Sequence, residues 1–124
     1  MLIAMRFSGG CHCGKVRFEV DIETLEALDC NCSICVKKGF LHAIVERDRF
    51  KLTAGTDEMS SYRFGSRLAR HMFCRNCGIH AFYIPRSHPN GVDVNVRCLD
   101  GDIAAFKVTP FDGKNWEENV ESIR

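Results

Sequence analysis

Apolar and polar residues alternate strictly in two stretches of the chain. Val16, Phe18, Val20 and Ile22 alternate with Lys15, Arg17, Glu19 and Asp21, and Val92, Val94 and Val96 alternate with Asp93, Asn95 and Arg97. A period of two predicts β-strands, each with one face on a core and one in water. Shorter apolar runs predict further strands near residues 43–46, 50–53, 59–64, 69–73, 79–84 and 105–109. Turn residues separate them at Ala54-Gly55-Thr56-Asp57, Phe64-Gly65-Ser66 and Pro89-Asn90-Gly91. Helical patterning is scarce. Residues 33–38 fit one short helical turn, with Lys37 and Lys38 at its negative end and Gly39 as its stop. Asn115, with Glu118 three residues on, reads as the capping box of a short C-terminal helix, on which Trp116, Val120 and Ile123 form an apolar stripe. The pattern predicts a mainly β fold.

Length and charge narrow the picture. The chain has 124 residues, enough for one modest core, and it shows no repeat, low-complexity stretch or linker, so residues 1–124 are expected to form a single domain. Seventeen basic and 16 acidic residues leave a formal charge of +1. That excludes binding to nucleic acid or anionic lipid by bulk charge. The apolar start stops at Arg6, too short for a secretory signal, and no run approaches the ~18 apolar residues of a membrane span. A cytoplasmic location, where thiols stay reduced, is the expectation. Reduced cysteines there point to metal or catalysis.

The eight cysteines are the unusual feature. Seven fall in three clusters: Cys11-His12-Cys13, Cys30-Asn31-Cys32-Ser33-Ile34-Cys35, and Cys74-Arg75-Asn76-Cys77. Such spacings let thiolates of one turn reach a common ion at about 2.3 Å, whereas a disulfide across one intervening residue is strained. Zinc comes first, because four thiolates suit it, with an iron–sulfur cluster as the chemical rival. Cys11, Cys13, Cys74 and Cys77 make a closed, structural four-thiolate set. Cys30, Cys32 and Cys35 make a three-thiolate set with one open position, as a catalytic zinc keeps. Two zinc ions per chain are expected.

These clusters, in this order, resemble the glutathione-dependent formaldehyde-activating enzyme family, to which centromere protein V also belongs. The resemblance rests on Gly10-Cys11-His12-Cys13-Gly14, on Cys30-Asn31-Cys32-Ser33-Ile34-Cys35, and on Phe73-Cys74-Arg75-Asn76-Cys77-Gly78. Phe82-Tyr83-Ile84-Pro85-Arg86-Ser87 and Cys98-Leu99-Asp100 look like the centromere-protein branch. The resemblance implies an Mss4-like fold of packed, bent antiparallel sheets. It implies a structural zinc on Cys11, Cys13, Cys74 and Cys77, and a reactive zinc on Cys30, Cys32 and Cys35. It also implies a carbon–sulfur lyase that forms S-hydroxymethylglutathione from glutathione and formaldehyde, or handles a related thiol adduct. The alternative is a non-catalytic zinc-stabilised binding module or glutathione carrier. Enzyme-type members often carry histidine where this chain has Asn31. The long basic extension of the centromere protein has no counterpart here, so chromatin or microtubule binding is not expected to carry over.

The implied chemistry needs an ionised thiol and a polarised carbonyl. Zinc at an open site can keep the glutathione sulfur ionised or polarise the aldehyde oxygen; the first is expected, since a bound thiol completes a four-sulfur set. The two glutathione carboxylates call for arginines, and Arg63, Arg67, Arg70, Arg86 and Arg97 are the candidates. Cys98 is left over, as a fourth ligand to the triplet, a buried apolar residue or a reactive thiol. His12 should point away from the ion, and His71 and His80 should support the second pair or fill the core. His42 and His88 carry no spacing argument. Asp100 and Asp102 around Gly101 suggest a turn, residues 85–91 suggest a loop that could line a pocket, and Trp116 suggests a core anchor. Exposed strand edges leave a homodimer open.

Overall fold

In the computed structural model, which describes residues 4–123, the strands run in the order β1 (Met5–Gly10), β2 (Arg17–Ile22), β3 (Glu26–Cys30), β4 (Leu41–Glu46), β5 (Phe50–Ala54), β6 (Met59–Tyr62), β7 (His71–Cys74), β8 (Phe82–Tyr83), β9 (Gly91–Asn95) and β10 (Lys107–Phe111). There are also two short helices, α1 (Ser33–Lys38) and α2 (Trp116–Asn119), and single 3-10 turns at Arg47–Arg49, Val96–Cys98, Gly113–Asn115 and Val120–Ser122. Among the described residues no helix is long and apolar enough to cross a membrane. The fold is mainly β, as the pattern predicts.

Three sheets form, in the orders β1-β2-β5, β10-β3-β4-β9-β8 and β6-β7. The first packs its apolar side on the second. Phe18, Val20 and Ile22 from the first, with Val16 just before β2, meet Leu41, Ala43, Phe82, Val92 and Val94 from the second in one buried cluster. Phe50 joins them, its ring 5.3 Å from Phe18 and 4.7 Å from Phe82.

The pleat of the five-stranded sheet decides the rest. Since side chains alternate across a strand, Leu41 and Ala43 of β4 and Val92 and Val94 of β9 leave His42, Ile44, Asp93 and Asn95 for the opposite face. The register pairs Leu28 with His42, His42 with Asn95, Ile44 with Asp93, and Asp93 with Tyr83, so these six residues share that face. The expected wet face of residues 92–96 is therefore corrected. All five β9 residues are buried, because Asp93 faces a cavity and not the solvent, and the Asn95 amide accepts from Leu41 N and donates to His80 O. In β2 the alternation holds as read, with Phe18, Val20 and Ile22 buried and Arg17, Glu19 and Asp21 partly exposed.

Other elements differ from the sequence reading. The sheets are antiparallel except for one pair: β10 lies parallel to β3, with Phe111 beside Cys30. The strand expected over 79–84 shortens to β8, since Cys74 N donates to Ile79 O at 3.0 Å and draws the first residues into a turn. β1 and β3 have no alternation to announce them; β1 shows a mostly exposed half followed by two buried glycines. The capping box does not form. The Asn115 side chain donates to Asp112 Oδ2 at 2.7 Å, and after Asn119 the helix tightens to a 3-10 turn. Its apolar stripe is nevertheless used, as Trp116 and Ile123 pack on Cys30, Cys35 and Phe111.

Candidate metal centres and cavity

Two tight turns bring the first four thiols together. Gly14 and Gly78 each follow a cysteine pair with φ of +83° and +79°, a backbone state that glycine reaches without strain. Gly78 N donates to Cys74 O at 2.8 Å, closing the second turn. The sulfurs of Cys11, Cys13, Cys74 and Cys77 all lie within 4.8 Å of one another. Cys13 Sγ is 3.6 Å from Cys11 Sγ and 3.7 Å from Cys74 Sγ. A tetrahedron with ~2.3 Å metal–sulfur legs has edges of about 3.8 Å, close to these two separations, so the donor set could hold a zinc ion. Val16 N also donates to Cys11 Sγ at 3.3 Å. Burial pushes the Cys11 thiol up to about 11, whereas backbone hydrogen bonds from Cys13 and Ile79 outweigh burial at Cys77 and bring it down to about 6. A thiol costly to ionise beside one already ionised is a set that a cation would equalise.

The triplet is built differently. Cys30 ends β3, Cys32 precedes α1, and Cys35 lies within it. Gly39 at φ +65° stops the helix, as the sequence predicts. The three sulfurs also lie within 4.8 Å of one another, and no fourth cysteine joins them among the described residues. Hydrogen bonds from the Cys30 and Cys35 thiols hold Cys32 far below the ordinary thiol range, while the same contacts push Cys30 and Cys35 up. Three adjacent sulfurs resist losing all their protons unless a cation enters, and a soft divalent ion suits this set.

A cavity of about 400 Å³ opens beside the triplet, within the range of small-ligand sites. Much of its wall is apolar, including Leu28, Ile34, Ile44, Phe64, Phe111 and Trp116. The C-terminal segment closes it over Cys30. Asn31 holds that segment, donating to Asp112 Oδ1 at 3.0 Å and accepting from Lys114 N at 2.9 Å. Gly113 then rests on the triplet, and a Cβ there would overlap Cys30 Sγ and stand 3.0 Å from Cys32 Cβ.

The candidate residues divide on this geometry. Of the five arginines only Arg86 lines the cavity, together with Pro85 and Ser87 of the expected loop. Its guanidinium stacks 3.6 Å from the centre of the Trp116 ring and pairs with Glu117. Arg63, Arg67 and Arg70 are exposed and lie outside the wall, and Arg97 lines a separate groove with Cys98. Cys98 is not brought to the triplet. Its Sγ donates to His80 O at 3.8 Å, and burial raises it to about 11. His12 is exposed.

Sequence reasoning missed a buried polar cluster on the cavity side. Lys38 Nζ sits 3.2 Å from His71 Nδ1 and over the Phe40 and Tyr83 rings, at 4.7 and 4.3 Å. His42 Nδ1 lies 2.6 Å from Asp93 Oδ2. The one available signal was the polar half of the 92–96 alternation, which reads equally well as a wet face.

The chain is similar to known proteins in sequence and in fold. Residues 6–115 match the family described as glutathione-dependent formaldehyde-activating enzyme. A crystal structure of a Rhodobacter sphaeroides protein, a structural-genomics target, is similar with a TM-score of 0.73 and 34% identity, over 82% of this chain and 99% of that one.

Proposed function

Because the chain belongs to the glutathione-dependent formaldehyde-activating enzyme family, we propose that it is a zinc-dependent carbon–sulfur lyase that joins glutathione to formaldehyde, or handles a related thiol adduct. The supporting observation is the asymmetry of the two thiol clusters. Four sulfurs close on one point, whereas three stand on the wall of a cavity of about 400 Å³ with room for a fourth ligand. A zinc ion on Cys30, Cys32 and Cys35 would supply an electrophilic centre suited to a substrate thiolate.

The chain's own residues supply the rest. Gly113 and the 111–115 segment cover Cys30 and keep water from that side. The apolar wall lowers the local dielectric, which strengthens every charge interaction inside it. Arg86, held flat on Trp116, presents a planar donor at the rim for a glutathione carboxylate. As a cytoplasmic protein it would meet reduced glutathione and keep its thiols free.

The test uses protein purified without chelators. Two zinc ions per chain, and S-hydroxymethylglutathione formation above the uncatalysed rate by exchange NMR with labelled formaldehyde, are expected. Glutathione binding with no added turnover would mark a carrier instead. In cobalt-substituted protein, glutathione should alter the thiolate charge-transfer band; an unchanged band would rule out a sulfur ligand at the triplet.

A further inference from the structure

His42 and Asp93 form a buried hydrogen-bonded pair on the same cavity wall as the triplet, with side chains 6% and 1% exposed. A carboxylate can only accept, so His42 Nδ1 is the donor in their 2.6 Å contact. In the neutral ring that leaves Nε2 with its lone pair. Among the described residues three buried side-chain nitrogen or oxygen atoms have no hydrogen-bond partner, and two of them are His42 Nε2 and Asp93 Oδ1. A wall filled for stability alone would carry apolar groups here, as Ile44 and Leu28 beside them do. The arrangement of carboxylate, Nδ1–H and free Nε2 is the one that fixes a tautomer for proton transfer.

We infer that His42 Nε2 is the proton acceptor for the substrate thiol in this cavity, and that Asp93 is its positioning residue. The inference rests on the lyase reading above. The step balances without another reactant. The thiol S–H bond breaks and its proton passes to His42 Nε2. The sulfur lone pair forms the C–S bond at the aldehyde carbon, and the carbonyl π pair moves to oxygen. His42 then returns the proton to that oxygen, giving the hydroxymethyl product. Asp93 remains a carboxylate throughout.

The other ionisable groups around the pair's cavity are His71 from β7, Tyr83 from β8, Lys38 and Cys35 from α1, the remaining triplet thiols, and Arg86 and Lys114 on the opposite segments. His71 commits Nδ1 to Lys38, and burial together with the Lys38 charge brings it down to about 4, so its ring is already engaged and disfavoured as a cation.

Isothermal calorimetry of glutathione binding to the zinc-loaded protein, repeated in buffers of different ionisation enthalpy near neutral pH, counts the protons released. The parent protein should release close to none, because His42 keeps the thiol proton, and His42→Gln should release close to one. Turnover of His42→Gln should fall about 100-fold or more with little change in KM, and Asp93→Asn should move in the same direction on both readouts. A parent protein that releases a full proton overturns the assignment whatever the variants do. Turnover in His42→Gln, or in Asp93→Asn should the first fail to fold, within about threefold of the parent also overturns it. No binding heat with the parent overturns the glutathione reading itself, a result distinct from binding with unaltered proton release.

Discussion

A methyl group on Gly113 would collide with Cys30 Sγ and crowd Cys32. Gly113→Ala should therefore cost about 1–3 kcal/mol, the usual range for an overpacked site, and lower bound zinc from two ions toward one; thermal melting and elemental analysis check both. Nothing local in the sequence marks this glycine, because its neighbour Cys30 lies far back in the chain. The thiol clusters were legible for the opposite reason, since each declares itself within a few residues. His71 and His80 make the pH prediction. Burial, with the Lys38 charge, brings both from the ordinary 6.5 down to about 4. The unfolded chain then binds more protons between these values, so stability is complete above pH 6.5 and lost as pH falls toward 4. For His71, 4% exposed, the loss by pH 5 is on the order of 2 kcal/mol. Chemical denaturation at pH 7 and pH 5 should show a smaller difference in His71→Phe than in the parent.

At the scale of elements, α1 was readable from its stop signal and the strands from their alternation. Gly39 adopts φ +65° with open space around its missing Cβ, so Gly39→Ala tests the backbone alone. About 1 kcal/mol should be lost, seen as a lower urea midpoint with zinc content unchanged. The capping box at Asn115 matched a local pattern but failed because Asp112 competes for the same side chain. The parallel pairing of β3 with β10 was illegible, since it joins residues about 80 positions apart by backbone bonds that carry no side-chain signature. Asn31 reinforces that pairing through Asp112 and Lys114. Its place between two triplet cysteines suggested a departure from the family's histidine; the structure shows what the amide does instead. Asn31→Ala should loosen the 111–115 segment and cost about 1 kcal/mol, measurable as faster amide exchange there.

Over the whole molecule, the two thiol clusters occupy different mechanical positions. The set of Cys11, Cys13, Cys74 and Cys77 ties the turn after β1 to the turn after β7, whereas the triplet borders a cavity. Chelator titration should therefore remove zinc in two steps, the first leaving far-ultraviolet circular dichroism intact and the second coinciding with unfolding. A single step with immediate unfolding would contradict this division. The five-stranded sheet also separates two kinds of constraint. Leu41, Ala43, Val92 and Val94 answer to the core, while His42, Ile44 and Asp93 on the same strands answer to the cavity. Heritable variation in β4 and β9 should then sort by the parity of each position. Changes on one set would be purged for lost solubility, and changes on the other would be free to redirect what the protein accepts. A lineage could thus shift its chemistry one alternate residue at a time without re-evolving its fold.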